Sequence, residues 1–121
     1  MANEISVTTR LTVENGNFKA DRNPGRILVD QATLAAIANV QTIGTSYEAI
    51  TLGDVSTEGY CYLRNLDSTN FVDVGTDGGA ALVPFLRLKA GECAVFRIST
   101  NAIYALADTA ACKLDVLILE A

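Results

Sequence analysis

Leu82-Val83-Pro84-Phe85-Leu86-Arg87-Leu88-Lys89-Ala90-Gly91-Glu92-Cys93-Ala94-Val95-Phe96-Arg97-Ile98 is the stretch that decides the fold class. In an extended chain Leu82, Leu86 and Leu88 point to one side, and Val83, Phe85, Arg87 and Lys89 to the other. This is the period-two pattern of a strand with one face on a core. Pro84 cannot donate a ladder hydrogen bond, which predicts that the strand lies at a sheet edge or carries a bulge. Lys89-Ala90-Gly91-Glu92 reads as a turn, after which Ala94, Phe96 and Ile98 return to the core.

The same signature extends in both directions. Toward the C-terminus, Ile103–Ala107 and Ala111–Leu119 read as strands. Toward the N-terminus, Phe71–Val74, Tyr60–Leu66 and Glu48–Leu52 do so, with turn signals at Gly53-Asp54, Glu58-Gly59, Asp77-Gly78-Gly79 and Asp108-Thr109. Further back, Ile5, Val7, Thr9, Leu11 and Val13 alternate with polar residues and predict one long strand, closed by a tight turn at Asn15-Gly16. Phe18 to Arg26 reads as a polar loop before Ile27, Leu28 and Val29 resume the sheet. About eight or nine short strands result, enough for two packed sheets. The expectation is all-β: an antiparallel β-sandwich in a single domain over 1–121, with 1–14 a strand or arm available for oligomer contacts.

Two segments admit two readings. Asp30 could cap a short helix with Leu34 and Ile37 on one face, yet the β context and the following Val40-Gln41-Thr42-Ile43-Gly44 favour extended chain. In the last strand, Leu114, Val116, Leu117, Ile118 and Leu119 put apolar side chains on both faces. Either this strand is central and doubly covered, or its outer face, with Leu117 and Leu119, is an intersubunit contact.

Composition excludes several classes. Of 121 residues, 50% are apolar and 19% charged, which is far from a disordered chain, and a domain of this size buries about two-thirds of its unfolded surface. No apolar run nears the roughly 20 residues of a membrane-spanning helix. Residues 1–10 lack a basic region followed by an apolar run, so the expectation is a protein made and folded in a cytosol. The formal charge is −5 with no basic run, which argues against a nucleic-acid backbone as partner. Cys61, Cys93 and Cys112 are odd in number and widely spaced, and each lies in an apolar segment. They read as buried hydrophobes rather than a disulfide or zinc site.

Histidine is absent, and with it the commonest general base and metal ligand. Carboxylate chemistry would need Asp67, Asp73, Asp77 and Asp108 to meet at one end of the sandwich, but Asp67, Asp77 and Asp108 stand beside Gly, Ser or Thr and Asp73 lies two residues before Gly75, and turn formation is expected to account for all four. Asp73-Val74-Gly75-Thr76-Asp77-Gly78-Gly79 is oxygen-rich but lacks the bidentate glutamate of an EF-hand, and reads as a hairpin loop. Arg64 and Asp67 flank Asn65-Leu66 where a strand meets a turn, and are expected to pair while Asn65 bonds the neighbouring loop. No cofactor or metal site is expected. Tyr60, Tyr62 and Arg64 share one strand face, which suits a protein interface or ordinary amphipathic cover of a sheet.

Read together, Gly59-Tyr60-Cys61-Tyr62-Leu63-Arg64-Asn65-Leu66-Asp67, Asn70-Phe71-Val72-Asp73-Val74-Gly75, Pro84-Phe85-Leu86-Arg87-Leu88-Lys89-Ala90-Gly91-Glu92 and Ile103-Tyr104-Ala105-Leu106-Ala107 form a pattern. It resembles one found in small jelly-roll structural proteins of tailed-phage virions, and covers roughly the second half of the chain. The three cysteines depart from it, since an exposed thiol is a liability on a particle released from the cell.

The resemblance implies a jelly-roll-like sandwich used as a building block of capsid decoration, heads, collars or tails, working through symmetric interfaces without catalytic groups. The leading expectation is a non-enzymatic capsid decoration or cement protein, located in the virion. Its partners would be copies of itself, a trimer first, and the major capsid protein or another virion protein. A tail, collar or fibre component is the alternative, followed by a carbohydrate-binding module. For the interface, Ile5, Val7, Leu11, Tyr60, Tyr62, Arg64, Leu117 and Leu119 are the candidates.

Overall fold

The computed structural model describes residues 3–31, 35–52, 55, 59–100 and 102–120. Within them the chain forms twelve β-strands and no helix. It divides into two compact units, residues 1–33 and 34–120. No glycine-, proline- or serine-rich stretch marks that boundary, which is why one domain over 1–121 is the reading of the sequence.

The first unit holds β1 (Ile5–Thr8), β2 (Leu11–Asn15), β3 (Phe18–Arg22) and β4 (Arg26–Val29). They pair as nested antiparallel hairpins, β2 with β3 from Leu11↔Arg22 to Asn15↔Phe18, and β1 with β4 from Ile5↔Val29 to Thr8↔Arg26. Gly16 (φ 59°) is the first of two connecting residues, where the turns that suit a hairpin's twist require positive φ. Two expectations are corrected. The long strand through Val13 breaks at Thr9-Arg10, and the polar loop Phe18–Arg26 contains β3. Composition misleads at β3 because ladder pairing with β2 holds a charged segment extended, with Arg10–Asp21 (2.9 Å) and Lys19–Glu14 (3.7 Å) as exposed ion pairs across the ribbon.

The second unit is the sandwich. Its strands are β5 (Ala36–Ile43), β6 (Glu48–Ala49), β7 (Tyr60–Asn65), β8 (Val72–Asp77), β9 (Leu82–Leu88), β10 (Cys93–Arg97), β11 (Tyr104–Ala107) and β12 (Cys112–Leu119). One sheet runs β10-β7-β12-β5 and the other β6-β11-β8-β9, with antiparallel neighbours throughout. Counted from β5, the first strand pairs with the eighth, the second with the seventh, the third with the sixth and the fourth with the fifth. A long antiparallel hairpin wrapped into two sheets in this way has jelly-roll order. The inward side chains of both sheets, among them Ile43, Leu63, Val72, Val74, Leu114, Val116 and Ile118, form one fully buried cluster.

Most of the second-half strands lie within a residue or two of their expected positions. β6 is shorter than Glu48–Leu52, and β8 extends to Asp77, so Asp73 to Asp77 is strand rather than loop. Leu34, on which the helical reading of Asp30–Ala38 partly rests, lies outside the described residues, as do Gly53, Asp54 and Glu58. From Ala36 the chain is extended because β5 pairs with β12 along its whole length.

Pro84 sits in an edge strand, and at a bulge: Val74 opposes Leu86 and Gly75 opposes Pro84, leaving Phe85 unopposed. The bulge brings the two backbones so close that a Cβ on Gly75 would overlap the Val83 carbonyl and stand 2.7 Å from Pro84 Cα. The turn after β9 carries the chain from one sheet to the other. It is pinned by buried Asn65, whose amide nitrogen donates to the Leu88 (3.0 Å) and Asn70 (2.8 Å) carbonyls while its oxygen accepts from Asp67 N–H (2.9 Å).

Candidate interface

Strand alternation and register together assemble a sheet face that no single segment reveals. On the outer side of β10-β7-β12-β5, Val95, Tyr62, Leu117 and Ala38 line up in one cross-strand row. A row of Arg97, Tyr60, Leu119 and Ala36 lies on one side, and one of Cys93, Arg64, Asp115 and Val40 on the other. The tyrosine and arginine stripe of β7 and the apolar outer side of β12, separate in the sequence, thus form one surface. β12 is central in its sheet, yet Leu117 remains 36% exposed and Val40 53%. Of the two readings of this strand, a doubly covered centre does not describe Leu117.

Polar groups frame the apolar middle. The Arg97 guanidinium lies 4.7 Å from the Tyr60 ring centroid, and Arg64 Nε donates to the Gly91 carbonyl (3.3 Å). Arg64 therefore turns to the interstrand turn, which corrects the expected pairing with Asp67. Asp67 instead accepts from the backbone amides of Asn70 (2.6 Å) and Thr69 (2.9 Å), which hold its carboxyl below its ordinary value.

The N-terminal candidates separate. Ile5 is buried within the chain, which removes it from a surface role, and Val7 is half-buried. Leu11 is 72% exposed and belongs to a ribbon with two unlike faces. By register, Leu11, Val13, Ala20 and Phe18 share one face with Arg22 and Asn15, while Thr12, Glu14, Lys19 and Asp21 share the other. Phe18 (64% exposed) and Val13 were not among the sequence candidates, because Phe18 read as the start of a loop. Val40, Ala38 and Val95 were missed as well. Their signal was alternation in β5 and β10, legible only once both strands were known to flank β7 and β12.

No known protein family, curated protein or solved structure matches this chain.

Two further aspartates make local contacts. Asp77 accepts from Tyr47 Oη (2.9 Å) and Gly79 N–H (2.8 Å), and that hydrogen bond raises the tyrosine's pKa. Asp73 lies in a strand, not a turn as expected, and makes a two-bond ion pair with Arg87 (2.7 and 3.0 Å), whose guanidinium also covers the Phe71 ring at 3.8 Å. Among the described residues, no three Asp, Glu or Cys side chains gather as a metal site would need. A cleft of about 330 Å³ opens beside β9 and β10, walled by Phe85, Phe96, Ile98 and Ile103 together with Thr76, Arg97, Ser99 and Thr100. Of the cysteines, Cys61 and Cys112 are buried as expected, but Cys93 is exposed, because Ala94 and Phe96 take the inward positions of β10. Burial pushes the Cys61 thiol up to about 12.

Proposed function

We propose that this protein is a non-catalytic structural module of a tailed-phage virion, a capsid decoration (cement) protein that attaches to the assembled shell. The observation that carries the reading is the uncovered apolar outer face of β10-β7-β12-β5. A sheet face with Val95, Tyr62, Leu117 and Ala38 in one cross-strand row suits a broad protein surface. The acidic residues of Asp67, Asp73 and Asp77 are engaged in holding turns and Arg87, which agrees with a role without turnover. The virion assignment itself rests on the resemblance of the second half of the sequence to small phage jelly-roll proteins, and the jelly-roll order of β5 to β12 agrees with it. On this reading the chain is made in the host cytoplasm and ends in the particle, with the major capsid protein or a neighbouring virion protein as its partner.

Co-sedimentation tests it. Purified protein added to assembled shells, free capsid subunits and isolated tails is expected to pellet with shells only, since a cement site spans surfaces that exist together only after assembly. Binding to tails alone replaces decoration with a tail, collar or fibre role. Retention on a glycan array that free sugar competes away replaces both with carbohydrate binding.

A further inference from the structure

The two sheets of the sandwich have four edge strands between them, and three of these edges are closed to further pairing. β9 carries Pro84, which has no donor, and a bulge at Phe85. β6 is two residues long. β5 is tied to the segment around β6 by Gln41, whose side chain donates to the Ala49 carbonyl (3.0 Å) and accepts from Thr51 N–H (3.0 Å). β10 runs five residues with neither proline nor bulge. Its bonds to β7 alternate. Ile98 N–H donates to the Gly59 carbonyl and the Glu92 carbonyl accepts from Asn65 N–H (both 2.9 Å), so by register Ala94 and Phe96 also bond β7. The N–H and C=O groups of Cys93, Val95 and Arg97 therefore point along the free edge, where no residue of the sandwich bonds them. Beside that edge opens the cleft walled by Phe85, Phe96, Ile98 and Ile103.

We propose that β10 pairs edge to edge with β10 of a second copy, antiparallel about a two-fold axis at Val95, joining two four-stranded sheets into one of eight. The strand is complementary to itself in this register. Val95 meets Val95, and Cys93 of each copy meets Arg97 of the other, so all three residues with free ladder groups are engaged on both strands and no like charges stand directly opposite. On the inner side, Phe96 of each copy lies opposite the small Ala94 of the other. The added strand also runs past the cleft and its exposed wall, Phe85 (62% exposed). A contact that uses the same patch on both copies closes at two, so the product is a dimer where the resemblance implies a trimer. The pairing goes beyond the virion reading and does not rest on it, because it is measured on the pure protein without particles.

Light scattering on the size-exclusion peak and cysteine cross-linking test the proposal on the full chain. The wild type is expected at twice the mass of a single chain. Val95→Pro removes a donor at the dyad that the β7 ladder does not use, and is expected to halve that mass with an unchanged far-ultraviolet circular dichroism spectrum. Should Val95→Pro not fold, cross-linking decides. Residues directly opposite in a bonded antiparallel pair have Cα atoms about 5.5 Å apart, within reach of a disulfide. Cys93→Ser/Val95→Cys is therefore expected to give a linked dimer under mild oxidation. The wild type is not, since its two Cys93 residues stand four positions apart along paired strands, on the order of 14 Å. A monomeric or trimeric wild type, a folded Val95→Pro that stays dimeric, or a Val95→Cys protein that does not link overturns the pairing, and ready linkage through Cys93 overturns the register. Binding to shells by a monomeric wild type would overturn the pairing and leave the decoration role standing.

Discussion

The ribbon and the sandwich are built from strands of the same sidedness and differ in where their apolar side chains end. In β7, Cys61 and Leu63 alternate with Tyr60, Tyr62 and Arg64, and the inward set is buried to about 1% exposure or less. In β2, Leu11 and Val13 alternate with Thr12 and Glu14 just as regularly, and the apolar set faces water. Alternation therefore reports that a strand has two unlike sides. It does not report that the same chain supplies the layer that covers the apolar one.

The largest expected effect contrasts core with ribbon. Leu63→Ala removes a fully buried side chain and is expected to cost about 2–5 kcal/mol, whereas Leu11→Ala in dilute protein should stay within about 0.5 kcal/mol. Urea unfolding of both variants at low concentration checks this, and comparable losses would erase the distinction between the units. The bulge comes next. Gly75→Ala forces a methyl group into the Val83 carbonyl and is expected to cost about 1–3 kcal/mol, seen as a lower thermal midpoint with the fold retained. Asn65→Ala, which strips the buried Leu88 and Asn70 carbonyls of their donor, belongs in the same range of about 1–3 kcal/mol.

The sandwich was legible because its signals were local and agreed with one another. Pro84 marked an edge and a bulge, and Gly91-Glu92 marked the turn between sheets. The ribbon was misread for the opposite reason: Phe18-Lys19-Ala20-Asp21-Arg22 has the composition of a loop, and only pairing with β2 makes it a strand. The candidate face was half legible. Tyr60, Tyr62 and Arg64 share a side by spacing alone, and Leu117 and Leu119 stand out in the sequence as surplus apolar residues. Their union, and the inclusion of Val95 and Val40, depends on the non-sequential order β10-β7-β12-β5, which spacing does not encode.

Cysteine chemistry sharpens the comparison of inner and outer faces at a smaller scale. In dilute native protein a thiol reagent is expected to label Cys93 alone, and Cys61 and Cys112 only after denaturant is added. Burial raises the Cys61 pKa from an unfolded value of about 8.5 toward about 12. A raised folded pKa means that the stability tied to the neutral thiol is complete below about pH 8.5 and is lost as pH climbs from there toward about 12. The thermal midpoint of the wild type should therefore fall more steeply between pH 8 and 11 than that of Cys61→Ala, and parallel curves would contradict the assignment. Asp67 acts with the opposite sign. Its carboxyl is held below its ordinary value by the Asn70 and Thr69 amides, so its contribution is present above the ordinary carboxylate range and is lost on acidification through that lowered value. Asp67→Asn should flatten the acid limb.

The smallest effects belong to the ion pairs. Arg87→Ala gives up both the partly buried Asp73 carboxylate and the Phe71 ring, and is expected to lower the thermal midpoint slightly in a calorimetric scan, whereas Arg10→Ala in the exposed ribbon pair should leave it unchanged.

Amide hydrogen exchange on dilute protein tests most directly the claim that the two units differ in core burial and not in strand sidedness. The account predicts that β7 and β12, whose inward side chains are buried, are strongly protected, while β2 and β3, whose apolar side chains are exposed, exchange rapidly. Ribbon amides as strongly protected as those of β7 and β12 would contradict it.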